Sequence, residues 1–335
     1  MNLILFIPLL FSFFVGLFLM PFWINKAKEI GLVWEDMNKP EHPKNVAGSG
    51  GVGVFLAFII GTMSYIAIKT FYFNSADNLI EIFASLSVIL IIAFIGIIDD
   101  ISGWRRGGLS IKSRLVLLFF ASIPLIVINA GESSIVGIEL GLLYPLIIIP
   151  LGIVGASATY NFLAGYNGLE TSQGMILLSS LAVLTYLMGN KWLSVIILCM
   201  VFSLLAFYIF NKRPAKVFPG NILTYCVGAL IATVAILGEI EKITIFFFIP
   251  YIMETILKAR GKLKKQSFAK VNPDGSLEVP YEKIYGLEHL AIYVLKKIRP
   301  TKKVYENDVV YLINIFQILV IILGFAIFGG ELGIY

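Results

Sequence analysis

Two adjacent aspartates, Asp99 and Asp100, end the apolar run from Ile89 to Ile98. Carboxylates at the carboxyl end of a helix repel each other and face the negative end of the helix dipole, which costs up to about 1 kcal/mol for each. A solvated helix end would tolerate the pair, but a divalent cation, a lysine or a substrate proton would compensate it. Mg²⁺ takes hard oxygen ligands and often bridges carboxylates to substrate phosphates. The pair therefore favours metal-assisted phosphate chemistry.

A second polar segment, Asn161-Phe-Leu-Ala-Gly-Tyr-Asn-Gly-Leu-Glu170, contains no lysine or arginine. Its amide side chains can supply neutral oxygen ligands to a metal and hydrogen bonds to a base or a sugar. Taken alone, Asn167-Gly168 could also form a plain turn. This segment is therefore a second candidate for metal or substrate binding.

Two further segments carry charges and glycines beside apolar runs. Basic residues at 212, 213 and 216 precede Val217-Phe-Pro-Gly-Asn221, which opens an apolar run. Backbone N–H groups at such a helix start can bind an anion. The first polar loop, Glu35 to Pro40, is followed by Gly48 to Gly51. These glycines predict a flexible entry to the next helix, although glycine in a spanning helix more often serves close packing.

These clusters stand at the ends of apolar segments that are long enough to cross a membrane, since about 20 residues span the hydrocarbon core. The chain has 335 residues, of which 58% are hydrophobic and 14% are charged, whereas a soluble domain has about 25% charged residues. Backbone hydrogen bonds in lipid must close within a segment, so the runs are predicted to be helices. The ten predicted spans cover residues 3–23, 48–68, 79–98, 113–130, 142–160, 172–189, 191–210, 221–238, 242–258 and 309–329.

The basic residues are distributed very unevenly between the loops. If the first span enters from outside, the five inside loops hold 23 of the 26 Lys and Arg residues, and the outside loops hold only Lys69, Lys191 and Lys242. Cytoplasmic loops carry such an excess, so all the polar clusters are predicted to lie at the cytoplasmic face of the cell membrane. The orientation of the protein and its contacts with lipid headgroups explain most of this charge. The functional alternative is that the basic residues bind an anionic substrate.

We therefore predict an all-α integral membrane protein with about ten transmembrane helices and a single polytopic domain over residues 1–335. Residues 259–308 form a long cytoplasmic loop inserted in this domain. Within it, Val271 to Val279 predicts a β-hairpin with Pro-Asp-Gly-Ser at the turn. Residues 287–298 predict a short amphipathic helix that could lie on the membrane surface.

Several functional classes are disfavoured by the sequence. It offers no Ser-His-Asp or Cys-His arrangement and no phosphate-binding P-loop, and no nucleic-acid partner is expected. Cys199 and Cys226 lie inside apolar runs and are interpreted as buried small hydrophobes. Charge within the spans is nearly absent, which argues against an ion pump. A transporter predicts polar residues at the midplane and interrupted helices in corresponding halves of the chain, and the sequence indicates neither.

Taken in order, the motifs resemble the polyprenyl-phosphate N-acetylhexosamine-1-phosphate transferase family. Its UDP-N-acetylglucosamine–dolichyl-phosphate branch has a pattern Asn-Ile-Leu-Ala-Gly-Ile-Asn-Gly-Leu-Glu, which is similar to Asn161–Glu170. Its Arg-Val-Phe-x-Gly-Asp is similar to Lys216–Asn221, and its Leu-Asn-x-x-x-Gly-x-Leu-Glu hairpin resembles Val271–Glu278. The aspartate pair and the stretch Gly108–Lys112 match the family too. The resemblance runs from Glu35 to the last helix.

This resemblance implies a Mg²⁺-dependent reaction, with Mn²⁺ as an alternative metal. N-acetylglucosamine-1-phosphate, or a related acetamido-sugar-1-phosphate, passes from a UDP-sugar to a polyprenyl or dolichyl phosphate, and UMP is released. One of the aspartates would prepare the lipid phosphate, and direct attack is the favoured role. By position, the catalytic residues are Asp99 and Asp100, the metal ligands are Asn161 and Asn221, and the substrate-binding residues are Asp36, Lys39, Lys112, Asn167, Gly168, Glu170, Phe218 and Lys270.

Two departures from the family pattern affect these assignments. Asn221 stands where the family usually has a metal-binding aspartate, so the site has one negative charge fewer. The family's His-x-His or Arg-His-Arg cluster is missing from the last inside loop, where Lys264, Lys265 and Lys270 are the nearby cations. A phospho-N-acetylmuramoyl-pentapeptide transferase is the alternative enzyme, and a non-catalytic lipid-binding or transport protein is the alternative class. By analogy, a homodimer is the expected assembly.

Overall fold

The computed structural model describes residues 3–131, 134–135 and 138–333. In chain order its helices are α1 (Phe6–Glu29), α2 (Gly51–Ala67), α3 (Leu79–Arg106), α4 (Ile111–Ala121), α5 (Ile123–Val127), α6 (Ile149–Tyr160), α7 (Leu169–Leu187), α8 (Lys191–Asn211), α9 (Gly220–Gly238), α10 (Glu241–Phe247), α11 (Ile249–Arg260), α12 (Leu287–Ile298) and α13 (Glu306–Phe328). Short strands form three antiparallel pairs: β1 (Val33–Trp34) with β2 (Val46–Ala47), β3 (Ser134–Ile135) with β4 (Ile138–Glu139), and β5 (Lys270–Val271) with β6 (Leu277–Glu278). The predicted single domain of residues 1–335 includes residues outside the described ranges and stays a prediction.

Six helical segments in the described ranges are long and apolar enough to cross a membrane, judged by length and composition. They are Leu3–Glu29, Gly51–Tyr72, Leu79–Trp104, Lys191–Asn211, Gly220–Gly238 and Glu306–Phe328. These segments match six of the ten predicted spans and support a helical protein that crosses the membrane several times. The total of ten spans and the cytoplasmic position of the 259–308 loop stay predictions.

Prolines interrupt the fourth and the ninth predicted spans. The fourth is divided into α4 and α5 at Ser122, with Pro124 in the first turn of α5. The ninth is divided into α10 and α11 at Phe248, with Pro250 in the first turn of α11. Proline lacks an N–H and clashes with the preceding turn, which favours the start of a new helix at these two places, although Pro21 lies inside α1 without dividing it. The expectation that no helix is interrupted is therefore wrong at both places.

The two other predicted spans, 142–160 and 172–189, are helical. One is too short and the other is too polar at its start to count as a full membrane span. A π-helical stretch, Tyr144–Ile148, precedes α6, and together they form an apolar helix that is shorter than a full span. Helix α7 has 19 residues, but it opens with Glu170-Thr-Ser-Gln173, which lowers its hydropathy. Polar residues at this end place part of the helix in the functional site described below.

Helix α9 is the most buried of the long apolar helices, because α2, α3, α6, α7 and α8 pack around it. Glycines allow the closest approaches. A Cβ on Gly96 of α3 would lie 2.5 Å from the Cα of Ile222, and a Cβ on Gly228 of α9 would lie 2.5 Å from the carbonyl oxygen of Ala156. The first contact fixes this part of α3, and so its aspartate pair, against the start of α9.

Two short hairpins shape the loops at this end of the bundle. The predicted hairpin is confirmed, since β5 pairs with β6 and Gly275 takes a left-handed φ of +78° at the turn. The predicted helix 287–298 is confirmed as α12. The hairpin of β1 and β2 was not predicted. Ala47 of β2 also pairs in parallel with Val217, so the α1–α2 loop is attached to the chain just before α9.

Candidate active site

The polar helix ends meet around a cavity of about 410 Å³. Helices α6 and α8 end at this cavity, and α2, α7 and α9 begin there. Helix α3 passes the cavity at Asp100 and continues to Arg106, so the expectation that the aspartate pair stands at a helix end is wrong. Six of the predicted site residues line it: Asp36, Asp100, Asn161, Glu170, Phe218 and Asn221. The expected convergence of separate helix ends is therefore observed, while the chemical role of each residue stays a prediction.

Asp100 lines the cavity and keeps one carboxylate oxygen without a partner. Its Oδ1 accepts a hydrogen bond of 2.7 Å from the backbone N–H of Asn221. This N–H belongs to the first turn of α9, so the positive end of that helix dipole compensates the charge. Oδ2 is buried and makes no hydrogen bond of normal geometry among the described residues, and the hydroxyl of Ser49 is a neighbouring group that stabilises the carboxylate. Leaving such an atom unpaired is unfavourable, so a cation or a substrate group is the expected partner.

Asp99 is fully buried and is held by several groups at once. Its Oδ1 accepts hydrogen bonds from the backbone N–H of Leu109 at 2.8 Å and from Nη2 of Arg114 at 3.2 Å. Its Oδ2 accepts from Nδ2 of Asn221 at 3.0 Å and from the hydroxyl of Tyr225 at 2.8 Å. Nε of Arg114 also lies 3.0 Å from Oδ2. Both oxygens are satisfied, and Asp99 does not line the cavity.

The described residues that line the cavity include four acids and no lysine, arginine or histidine. The acids are Glu35, Asp36, Asp100 and Glu170. Tyr166 adds no charge, because burial, with the charges of Glu288 and Glu306, raises the pKa of its phenol well above the usual value. Its hydroxyl donates to the carbonyl oxygen of Ser267. Lys44 and Lys39 pair with Glu35 and Asp36. No described cation lines the cavity itself, so a phosphate-bearing ligand would meet acceptor oxygens there and would need a cation of its own.

The oxygen atoms around the cavity suit Mg²⁺. Among the described residues no group of three His, Cys, Asp or Glu side chains could hold a metal, so a site would depend on Asp100 with the amide oxygens of Asn161 and Asn221. Nδ2 of Asn221 donates to Asp99, which leaves its Oδ1 to accept or to coordinate. Oδ1 of Asn161 accepts from Thr224 at 2.9 Å. Mg²⁺ takes few protein oxygens and keeps places for water and phosphates, which fits this sparse set.

The remaining predicted site residues lie outside the cavity lining. Asn167 and Lys39 contact the buried Glu306 behind the cavity wall. Gly168 precedes α7 with a φ of +83°. Lys112 is exposed on the first turn of α4, and Lys270 is exposed on β5.

Sequence reasoning missed several residues that the structure places at the site. Arg114 lies two residues after the predicted Lys112 and contacts Asp99 instead. Asn211 lines the cavity at the end of α8, and residues 266–268 line it from the 259–308 loop. The available signal for Asn211 was an asparagine directly after an apolar run. The role of Glu306 had no signal, because its partners are 93 to 267 residues away.

A second cavity, of about 770 Å³, lies along α6, α9, α10 and α11. Its wall is mostly apolar, with small residues such as Gly155 and Ala232. Helices α6 and α9 contribute to both cavities, since Asn161 follows α6 and Thr224 lies in α9. Different segments of α9 and of the chain around α6 therefore line the two cavities.

Comparison with known proteins supports the resemblance described above. Residues 82–239 match the sequence profile of glycosyl transferase family 4. A protein of Saccharolobus solfataricus, named as a UDP-N-acetylglucosamine–dolichyl-phosphate N-acetylglucosaminephosphotransferase, is 38% identical over 293 residues, which cover 85% of this chain and 87% of the relative. The chain belongs to glycosyl transferase family 4. The predicted family is thereby confirmed.

Other members of glycosyl transferase family 4 match a smaller part of the chain. A relative from Sulfolobus acidocaldarius with the same name is 32% identical over 262 residues, covering 76% of this chain and 77% of its own length. A phospho-N-acetylmuramoyl-pentapeptide-transferase of Streptococcus pyogenes serotype M6 is 28% identical over 261 residues, covering 74% of this chain and 77% of its own. The segment that matches the family profile carries Asp100, Asn161, Glu170, Phe218 and Asn221, so it supplies most of the polar cavity wall.

Proposed function

We propose that this chain transfers N-acetylglucosamine-1-phosphate, or a related acetamido-sugar-1-phosphate, from a UDP-sugar to a polyprenyl or dolichyl phosphate. An oxygen of the acceptor phosphate bonds to the β-phosphorus of the UDP-sugar. The bond between that phosphorus and the bridging oxygen breaks, and UMP leaves with the bridging oxygen. The product is a lipid-linked sugar diphosphate, which would begin the assembly of a lipid-linked glycan.

The observation that carries this proposal is the unpartnered Oδ2 of Asp100 in a cavity at the helix ends. Phosphoryl transfer depends mainly on positioning and on charge neutralisation. A buried free carboxylate oxygen beside a helix start provides a reactive or metal-binding group at a fixed place. Membership in a family whose relatives are named as sugar-phosphate transferases supports the same reaction.

The two aspartates have separate roles in this proposal. Asp100 is the catalytic carboxylate, since it lines the cavity. Asp99 is a positioning residue, because its oxygens are occupied by Arg114, Tyr225 and Asn221. Direct attack by Asp100 on the β-phosphorus predicts that one equivalent of UMP per enzyme is released without acceptor lipid. If Asp100 instead deprotonates the acceptor phosphate, no UMP is released until the lipid is added.

Mg²⁺ is the cofactor that this reaction and this cavity would require. Asp100, Asn161 and Asn221 would hold it, and when bound it would neutralise the diphosphate charge. The acidic lining without cations supports this assignment, because both substrates are anions. Removal of divalent cations with EDTA should abolish the transfer, and Mg²⁺ or Mn²⁺ should restore it.

The apolar cavity offers a place for the isoprenoid chain of the acceptor. It is lined by residues from Ile148 to Ala156 on and before α6, and Asn161 follows about five residues later. At 1.5 Å per helical residue, this separation is about 7 Å. A lipid tail in the apolar cavity would therefore keep its phosphate close to the polar cavity.

The decisive experiment uses purified protein, radiolabelled UDP-N-acetylglucosamine, a polyprenyl phosphate and Mg²⁺. We expect labelled lipid and UMP from the wild-type protein. Asp100→Asn should lower the rate by at least about 10³-fold, since it removes a group that acts in the reaction. Asp77→Asn, at the other end of the bundle and exposed, is the matched control and should keep full activity.

Two results would contradict the proposal. Wild-type protein that makes no labelled lipid from any UDP-acetamido sugar would remove the proposed activity. Asp100→Asn with wild-type activity would remove Asp100 from the reaction. UDP-N-acetylmuramoyl-pentapeptide is the competing donor, and preferential use of it would assign the chain to the second named branch of the family.

A further inference from the structure

Glu306, the first residue of α13, is a buried acid that joins three other loops. Only 1% of its surface is exposed. Its Oε1 accepts a hydrogen bond of 2.9 Å from the backbone N–H of Asn167. Its Oε2 pairs with the ammonium group of Lys39 and lies 3.6 Å from Nε of Arg213. One carboxylate thus contacts the α1–α2 loop, the α6–α7 loop and the α8–α9 loop.

These contacts close into a ring that includes a residue of the cavity wall. Nζ of Lys39 lies 3.4 Å from Oδ2 of Asp36. The same oxygen of Asp36 accepts a hydrogen bond of 3.0 Å from Nδ2 of Asn167. Glu306 therefore contacts Lys39 and Asn167, and each of these contacts Asp36. Asp36 in turn lines the cavity.

The neighbouring Asn38 extends the ring to the rest of the wall. Its Nδ2 donates to the carbonyl oxygen of Gly165 at 2.8 Å, and its Oδ1 accepts from the backbone N–H of Ala269 at 3.1 Å. Gly165 lines the cavity, and Ala269 directly follows the lining residues 266–268. The short segment 36–39 is thus a junction between loops from four parts of the chain.

We propose that Glu306 is a positioning residue for the UDP-sugar, which holds segment 36–39 and Asn167 in the arrangement that binds the donor. This inference rests on the proposed function. Four charges balance in the ring, because two acids, Glu306 and Asp36, face two bases, Lys39 and Arg213. Removing the negative charge of Glu306 leaves two cations with one acid, so the attachment of segment 36–39 to α13 through Lys39 is weakened.

The test compares Glu306→Gln with a matched control in the same helical turn. Glutamine keeps an oxygen that can accept from Asn167, and it removes only the charge. Asp308→Asn is the control, because Asp308 pairs with Arg299 at 2.6 Å and contacts no residue of the ring among those described. Both variants remove one acid from the start of α13, so a general effect on this helix would appear in both.

For Glu306→Gln we expect the KM for UDP-N-acetylglucosamine to rise about tenfold, the size expected for losing a charged hydrogen bond, while kcat changes less than threefold. Calorimetric affinity for the same nucleotide sugar should weaken by a similar factor. Asp308→Asn should keep the wild-type KM even where its melting temperature falls. Glu306→Asp, which retains the charge, should recover part of the affinity.

A double-mutant cycle with Lys39→Met tests whether the ring acts as a unit. Residues in one network show non-additive effects. The KM of the double variant should therefore be close to that of the single variant with the higher KM. Wild-type activity combined with an unchanged KM and affinity in Glu306→Gln would overturn the inference, as would an equal rise in KM for Asp308→Asn. Wild-type protein without transferase activity would instead contradict the proposed function.

Discussion

At the scale of single residues, Asn221 stabilises the buried Asp99 directly. Its Nδ2 donates a hydrogen bond of 3.0 Å to Oδ2 of Asp99. An aspartate at 221 has no hydrogen to donate, so it would place two carboxylates at this distance. The amide therefore stabilises a buried charge that a second carboxylate would repel.

This contact predicts the behaviour of Asn221→Asp. Without divalent cations, the melting temperature of the variant should fall below that of the wild type, because of repulsion from Asp99. Added Mg²⁺ should raise the melting temperature of the variant more than that of the wild type, since the metal would gain one anionic ligand. A scan with and without Mg²⁺ measures both effects. Equal melting temperatures under both conditions would contradict the argument.

The sequence predicted which residues would meet better than it predicted their individual surroundings. Asp36, Asp100 and Asn161 were expected at one site because the loop and the ends of the apolar runs that carry them share one predicted side of the membrane. The different environments of Asp99 and Asp100 could not be predicted, because they depend on contacts such as the one with Tyr225, 126 residues away. Adjacent helical residues point in different directions, and only packing decides which of them lines a cavity.

At the scale of secondary structure elements, the contact between α3 and α9 sets the position of Asp100. Gly96→Ala would place a Cβ 2.5 Å from the backbone of Ile222, which forces the two helices apart. Misplacing a reacting group by about 1 Å can lower activity by about 10²-fold, so we expect a loss of this size in kcat. Gly103→Ala, also on α3, is the control, because the nearest atom to its Cβ would be 3.9 Å away. Equal activity of the two variants would contradict this explanation.

Helix α12 contains a buried acid, Glu288, that lies near Glu254, Lys258 and Ser267. Burial first, and then the charge of Glu254, raises the pKa of Glu288 well above the usual value. A carboxyl with a raised pKa in the folded state stabilises the fold at low pH, and this contribution is lost as the pH rises toward the folded-state pKa.

Glu288→Gln should therefore change the pH dependence of stability. The variant cannot titrate at this position, so its melting temperature relative to the wild type should rise as the pH increases above the ordinary pKa of glutamate. Thermal unfolding in detergent at several pH values measures this difference. Glu282→Gln is an exposed control. A difference that does not change with pH, or the same trend in the control, would show that Glu288 does not titrate in this range.

The elements themselves were predicted to different degrees. Long apolar runs predicted α1, α3, α8 and α13 because length and hydropathy suffice for such helices. The Pro-Asp-Gly-Ser turn predicted the hairpin of β5 and β6. The two-residue strands β1 and β2 carry no periodic signal, and they form because Ala47 pairs with Val217 elsewhere in the chain. The helix breaks could have been predicted from Pro124 and Pro250.

At the scale of the whole molecule, the uneven distribution of basic residues predicts the orientation in the membrane. Both native cysteines are buried, so a new cysteine can report accessibility in the natural background. Lys191→Cys should react with an impermeant maleimide in intact cells, and Lys283→Cys only after the cells are permeabilised. Both side chains are exposed. Labelling with the opposite preference would place the polar cavity outside the cell and contradict the proposed orientation.

The acidic cavity wall also bears on how this protein could be blocked. Since no lysine, arginine or histidine lines the cavity among the described residues, a free nucleotide without metal meets like charge there. An uncharged nucleoside carrying an apolar tail would avoid that repulsion and could occupy the polar and the apolar cavities together. Inhibitors of this neutral, amphipathic kind should bind with little dependence on divalent cations, in contrast to phosphate-bearing ones.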